Sequence, residues 1–162
     1  MKFEILSSGD IFNINYLHDS ISMYKATSLD GMMANIYLRL SKGNETFSTR
    51  LLGINSPSTF KIKNDQILYE GKFHGVKYQV HFKIHHHTWF WTVKLKAEED
   101  IDGELYYGQD VSLNSPFANE AYVCQYLDHQ IHQINSTYHI VTKQNQGNPL
   151  MLQQGSLTNN VA

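Results

Sequence analysis

Within the twelve residues NEAYVCQYLDHQ, Asn119 to Gln130, the chain gathers Glu120, Cys124, Asp128 and His129. These side chains build nucleophilic and acid–base sites: a thiolate attacks, and an imidazole or carboxylate moves the proton. The spacing argues against a thiol nucleophile. On a strand, Cys124 and His129 differ by five positions and face opposite sides of the sheet. On a helix, Cys124 falls near Asp128 instead. A lone cysteine outside any nucleophile signature reads as a small buried hydrophobe. Asp110, Glu120 and Asp128 would suit the paired carboxylates of glycoside chemistry. Sequence spacing does not set their separation, and fifteen acidic residues make such coincidences common. On an extended chain His81, His85 and His87 would share a face that could hold zinc. The triplet His85-His86-His87 falls where a hairpin must turn, however, and no second cluster supplies ligands, so no metal is expected. There is no Gly-rich phosphate loop and no serine nucleophile elbow. No cofactor is implied.

The elements that must position these groups are strands. In VKYQVHFKI, Val76, Tyr78, Val80, Phe82 and Ile84 alternate with Lys77, Gln79, His81 and Lys83. That is a strand with one face in the core and one in water. TWFWTVKLKA repeats the pattern, with Trp89, Trp91, Val93, Leu95 and Ala97 on one face, and the two runs predict an antiparallel hairpin around the histidine triplet. Trp89 and Trp91 would make a stacking platform for sugars, but their place on the apolar face of a regular strand favours the core. Further strands are predicted over Asn35–Leu40, Phe47–Gly53, Thr59–Lys63, Ile67–Gly71 and Glu104–Gly108. They are separated by SKGN, NSPS, KND and EEDIDG, all with turn chemistry. Tyr122, Val123, Cys124 and Tyr126 favour a strand, although Val123, Leu127 and Ile131 recur at helical spacing. With YHIVTKQNQ (Tyr138–Gln146) they predict a long hairpin turning near Asn135–Thr137. Many short strands and no long amphipathic helix give an all-β, antiparallel β-sandwich or barrel in one domain, 1–162.

Composition narrows the class. Of 162 residues, 41% are hydrophobic and 17% charged, as in a globular chain, and 12% are aromatic, which suits strands. A net charge of −2 leaves no basic footprint for nucleic acid and no polybasic segment for a membrane. Cys124 is the single cysteine, so no intrachain disulfide forms. The start MKFEILSSGDIF lacks the apolar core of a signal peptide, and no apolar run approaches membrane-helix length. The expectation is a soluble, cytoplasmic protein.

Several ordered motifs carry a resemblance. LYYGQDVSL is followed by NEAYVCQYLDH, then VTKQNQ and LQQGSLT; before them come SSGDI (Ser7–Ile11), NIYLRL, LLGINSPSTF (Leu51–Phe60) and WFWTVKL (Trp89–Leu95). This order, spanning nearly the whole chain, resembles the amino-terminal region of 1,2-β-oligoglucan phosphorylases, relatives of cellobiose phosphorylase and of the phosphorylase part of cyclic β-1,2-glucan synthases. Cys124 stands where a serine or similar small residue is expected. The resemblance implies a supersandwich-like β-sandwich, here an incomplete version of the family's amino-terminal domain. In the family that domain precedes an (α/α)6 barrel, which carries the general acid aspartate and uses phosphate to split β-glucosides into α-glucose 1-phosphate with inversion. No barrel motif occurs in this sequence, so no catalytic residue is carried over and the chain alone is expected not to be an enzyme.

The resemblance also implies that the sandwich packs on the barrel and takes part in a homodimer, with β-gluco-oligosaccharide as the ligand class. The polar residues of its motifs are then candidates for substrate or interface contacts: Gln109, Asp110, Asn119, Glu120, Tyr122, Gln125, Tyr126, Asp128, His129, Gln144, Asn145 and Gln146. Amides and carboxylates bind sugar hydroxyls in pairs, and equally satisfy backbone groups at strand ends. A free-standing carbohydrate-binding sandwich and a pure oligomerisation module are the alternatives.

Overall fold

The alternation in the middle of the chain becomes a four-stranded antiparallel sheet. A computed structural model describes residues 1–22, 24–111, 113, 127–134, 137–144 (Gln144 by its backbone only) and 151–156. The sheet is formed by β6 (Ser58–Lys63), β7 (Gln66–Phe73), β8 (Val76–His85) and β9 (Thr88–Ala97), in the order β6-β7-β8-β9. Its hairpins close through two-residue loops. Asn64 and Asp65 have φ of 47° and 58°, and His74 and Gly75 have φ of 43° and 85°. Left-handed φ at both central positions matches the twist of the flanking strands. At the β8–β9 turn His86 has φ 54°, and His85 pairs with Thr88.

A second sheet has the order β10-β4-β5, from β4 (Asn35–Lys42), β5 (Glu45–Arg50) and β10 (Asp102–Gly108). A third joins β1 (Lys2–Ile5), β2 (Ile11–Tyr16) and β3 (Asp19–Ser20), and a fourth joins β11 (Leu127–Ile134), β12 (Thr137–Gln144) and β13 (Met151–Gly155). All pairings are antiparallel. Thus the protein is all-β, as expected. The β11–β12 hairpin forms with Ile134 opposite Thr137, while the part of that expected strand before Leu127 lies outside the described residues.

Alternate residues of the first two sheets meet in one core. Ile67, Tyr69, Val80 and Phe82 from the β6–β9 sheet, and Ile36, Leu38 and Leu40 from the β4 sheet, are almost wholly buried. Ile11 and Ile14 of β2 and Leu152 of β13 join the same cluster. The expected strand over Phe47–Gly53 needs correction at its end: β5 stops at Arg50. Leu51 and Leu52 are sealed in the core, and Gly53 turns with φ 71°.

That turn is fixed by Asp10. Its carboxylate is fully buried and accepts hydrogen bonds from Met32 N (2.9 Å), Ile54 N (2.7 Å) and Ser8 Oγ (2.6 Å). One side chain therefore ties three distant segments together.

Beside it, the Tyr69 hydroxyl donates to Gly9 O at 2.7 Å. Burial, reinforced by the charge of Asp10, pushes the Tyr69 phenol above its ordinary value of 10.0. Burial also raises Tyr78, against the opposing hydrogen bond from Ser58. The folded chain thus keeps protons that the unfolded chain loses near pH 10. Their stabilisation is complete below that pH and is lost as pH rises further. Urea midpoints are expected to fall between pH 8 and pH 11. Tyr69→Phe should flatten that fall while costing about 1–2 kcal/mol at neutral pH, because Gly9 O loses its donor. A midpoint that stays level to pH 11 would contradict this account.

Candidate functional site

Two sheet edges run along the same side of the core. β9 ends one sheet and β10 ends the other, so neither is flanked by a described strand on its outer side. Their core-facing residues are incompletely covered: Leu95 is 41% exposed, Leu105 43% and Tyr107 44%. Trp89, Trp91 and Val93 are half-buried against the core. Trp91 packs on Phe82, with ring centroids 4.6 Å apart, and approaches Tyr107 at 6.4 Å. The core reading of the tryptophans is therefore right for their inner edges, and their outer edges line this open side.

Where β10 ends, the aromatic edge becomes polar. The Tyr107 hydroxyl donates to Gln109 Oε1 at 2.6 Å. Gln109 Nε2 donates to the carbonyl of Asp110 at 2.8 Å and reaches Ser22 Oγ at 3.4 Å. Asp110 Oδ2 accepts from Tyr24 N at 2.7 Å. Among the described residues, two polar atoms of this cluster, Asp110 Oδ1 and Trp91 Nε1, are buried with no hydrogen bond assigned to them. Shielding of the hydroxyl end of Tyr107 raises its pKa above the ordinary phenol value; the neighbouring indole N–H groups of Trp89 and Trp91 pull it down, and the charge of Asp110 pushes it up.

A polar network continues onto the β1–β3 sheet. Lys25 Nζ donates to Ser20 Oγ at 2.5 Å, and that hydroxyl lies 2.5 Å from Asn13 Oδ1 and 2.7 Å from Ser22 O. Asn13 in turn donates to Asn15, which donates to Glu4 Oε1 at 3.1 Å. Partial burial lowers the Lys25 pKa, opposed by the charges of Glu4 and Asp110. Together these groups offer fixed donors, fixed acceptors and aromatic faces, which is equipment for holding a hydroxyl-rich or amide-rich partner.

Of the candidates named from sequence, Gln109 and Asp110 meet in this cluster. Asp128 and His129 lie on β11 on opposite faces. His129 Nδ1 is 2.9 Å from Thr142 Oγ1, and Asp128 Oδ2 accepts from Gln130 Nε2 at 3.0 Å. No hydrogen bond among the described residues links either to Gln109 or Asp110. Gln144 pairs by its backbone with Leu127. Asn119, Glu120, Tyr122, Cys124, Gln125, Tyr126, Asn145 and Gln146 lie outside the described residues. Of the histidines that could share a face on an extended chain, His81 Nε2 is 2.8 Å from Gln66 Oε1, and His87 packs edge-on against Tyr16. Among the described residues no three His, Cys, Asp or Glu side chains gather as a metal site, and no helix is long and apolar enough to cross a membrane. Sequence reasoning missed Ser22, Tyr24 and Lys25, because SISMYK shows no periodicity and their partner Asp110 is remote in the chain.

Comparison with known proteins places the chain. The 1,2-beta-oligoglucan phosphorylase of Listeria innocua serovar 6a is 27% identical over 121 residues, covering 73% of this chain and 11% of that protein. The chain therefore spans about a tenth of the length of the relative it matches. A family model described as the SOGP N-terminal domain matches residues 4–162. With that match running over almost its whole length, the chain belongs to the SOGP N-terminal domain family.

Proposed function

We propose that this chain is the amino-terminal, non-catalytic β-sandwich domain of a cytoplasmic glycoside phosphorylase acting on β-linked gluco-oligosaccharides, those with β-1,2 linkages above all. In this reading it supports a helical catalytic barrel and contributes to dimerisation. The observation that carries the proposal is the family match over residues 4–162, joined to the similarity with an oligoglucan phosphorylase over most of the chain. The half-covered inner faces of β9 and β10 fit a domain that packs against further protein. The single cysteine suits a reducing compartment.

The test has two arms. The isolated chain, incubated with β-1,2-gluco-oligosaccharides and inorganic phosphate, is expected to release no α-glucose 1-phosphate; release by the chain alone would overturn the non-catalytic role. In the second arm the chain replaces the aligned segment of the Listeria phosphorylase. Phosphorolysis by a folded chimera, and its loss on deleting the segment, is the expected result. A deletion variant that keeps full activity would remove the supporting role.

A further inference from the structure

One long edge of the fold lacks the charges that guard the others. An edge strand leaves a row of backbone N–H and C=O groups open to another chain, and charged side chains on it discourage that pairing. β1 carries Lys2 and Glu4, β3 Asp19, β5 Glu45 and Arg50, β6 Lys61 and Lys63, β9 Lys94 and Lys96, and β10 Asp102 and Glu104. β11, the outer strand of its sheet, reads LDHQIHQI; after Asp128 it holds no Asp, Glu, Lys, Arg or Pro. It pairs with β12 through eight residues without a register shift, so no bulge turns it away. β13, the opposite edge, is also uncharged but has only five residues.

The same hairpin bares an apolar strip. Thr142 and Leu152, opposite each other, are buried where this sheet meets the core. Two residues further along β12, on the same face, Ile140 stands opposite Ile131. Ile131 is 72% exposed, Tyr138 54% and Ile140 42%, so the core-facing side of the hairpin runs on past the core uncovered by any described residue. The sequence of β11 complements itself. Laid antiparallel on a second copy about a two-fold axis at Gln130, Asp128 stands opposite His132, His129 opposite Ile131, and Leu127 opposite Gln133. Directly opposite residues share a face, so each side chain keeps the face it has now. The two Ile131 side chains then meet on the diagonal, and the Ile140–Ile131 strip continues across the axis. Moving the axis to Ile131 would set Asp128 against Ile134; moving it to His129 would set His129 against itself. The pairing is also closed, because each copy spends its one long uncharged edge, whereas joining β11 to β13 would propagate from copy to copy.

We infer that β11 is a self-pairing edge. Two copies of this chain join their β11–β13 sheets, three strands from each, into one continuous antiparallel sheet in the register centred on Gln130. That this pairing serves a phosphorylase dimer rests on the reading under Proposed function; the pairing itself rests on the edge alone. The rival occupant is a strand from another segment of the larger enzyme.

Sedimentation of the intact chain, from micromolar to submillimolar concentration, is expected to show a reversible monomer–dimer equilibrium. Ile131→Lys supplies the missing edge charge at an exposed position, so far-UV circular dichroism should stay parental. The dimer should weaken by about a hundredfold, since the symmetry counts the change twice. Leu29→Lys, equally exposed but outside every strand, should leave it unchanged. The register has its own readout. In a Cys124→Ser background, Gln130→Cys should cross-link between copies through a short bis-maleimide, and Gln153→Cys on β13 should not. A chain that stays monomeric overturns the inference, as does a dimer that Ile131→Lys leaves intact, or cross-linking through Gln153→Cys but not Gln130→Cys. Protection of the β11 amides in the Listeria chimera but not in the isolated chain overturns it in favour of the rival strand. Failure of the self-pairing leaves the chimera active; failure of the phosphorylase reading leaves the dimer, and its loss in Ile131→Lys, intact.

Discussion

Asp10→Ala is expected to bring the domain close to unfolding. The substitution strips the acceptor from two backbone N–H groups, Met32 and Ile54, and from the Ser8 hydroxyl, around a carboxylate that is itself fully buried. A buried hydrogen bond to a charged acceptor contributes about 1.5–3 kcal/mol, and an abandoned donor costs a similar amount. Two such donors place the loss near 4 kcal/mol, a large part of the roughly 5–15 kcal/mol that holds a domain folded. For a chain of this size the thermal midpoint should fall by about 10–15 °C, read as loss of far-UV circular dichroism. Asp10→Asn keeps one carbonyl acceptor but turns an NH₂ towards donors, and should lose about half as much. Gly53 supplies an internal check. It sits at φ 71°, and a methyl there would overlap the Asp10 carboxylate. Gly53→Ala should therefore cost less in the Asp10→Ala background than in the parent, because only the backbone strain remains. An Asp10→Ala midpoint within a few degrees of the parent, or additive losses in the double variant, would defeat this account.

What the sequence disclosed follows from the range of the interactions involved. The β8 and β9 strands were legible because period-two alternation is local, and it maps directly onto buried Tyr78, Val80 and Phe82 and exposed Lys77 and Gln79. The Asn64-Asp65 turn was legible for the same reason. β2 was not, since it buries Asn13 beside Ile14 and breaks the alternation. The end of the expected strand at Gly53 was misread because its conformation is set by Asp10, forty-four positions from the Ile54 amide that it binds. The site shows the same division. Gln109 and Asp110 stood out as amide and carboxylate, but Tyr24 N and Ser22 Oγ, which fix them, are more than eighty positions away. Chemistry is written in residue types, and assembly in separations that no local pattern carries.

Phe82→Ala, the second large effect, tests how the core holds the open edge in place. Phe82 is wholly buried on β8, meets Phe3 of β1 edge to face at 5.2 Å, and packs on Trp91 of β9 at 4.6 Å. Its ring is thus the joint between the β1–β3 sheet and the strand that carries both tryptophans. Removing a buried phenyl ring costs about 3–5 kcal/mol, the upper part applying where the surroundings cannot collapse into the space. Here collapse is restricted: Val80 and Ile67 beside it are fully buried, and Ile67 is the cross-strand partner of Phe82. A midpoint lowered by about 10 °C or more is expected. The conservative Phe82→Leu should retain over half of the lost stability, because most of the volume returns. Trp91 gives the variant a second readout. Without Phe82 its inner face loses a packing partner, so native-state emission should shift to longer wavelength before any unfolding. A Phe82→Ala protein with parental stability and emission would show that Trp91 is positioned from elsewhere, and the mechanical link between core and site would have to be abandoned.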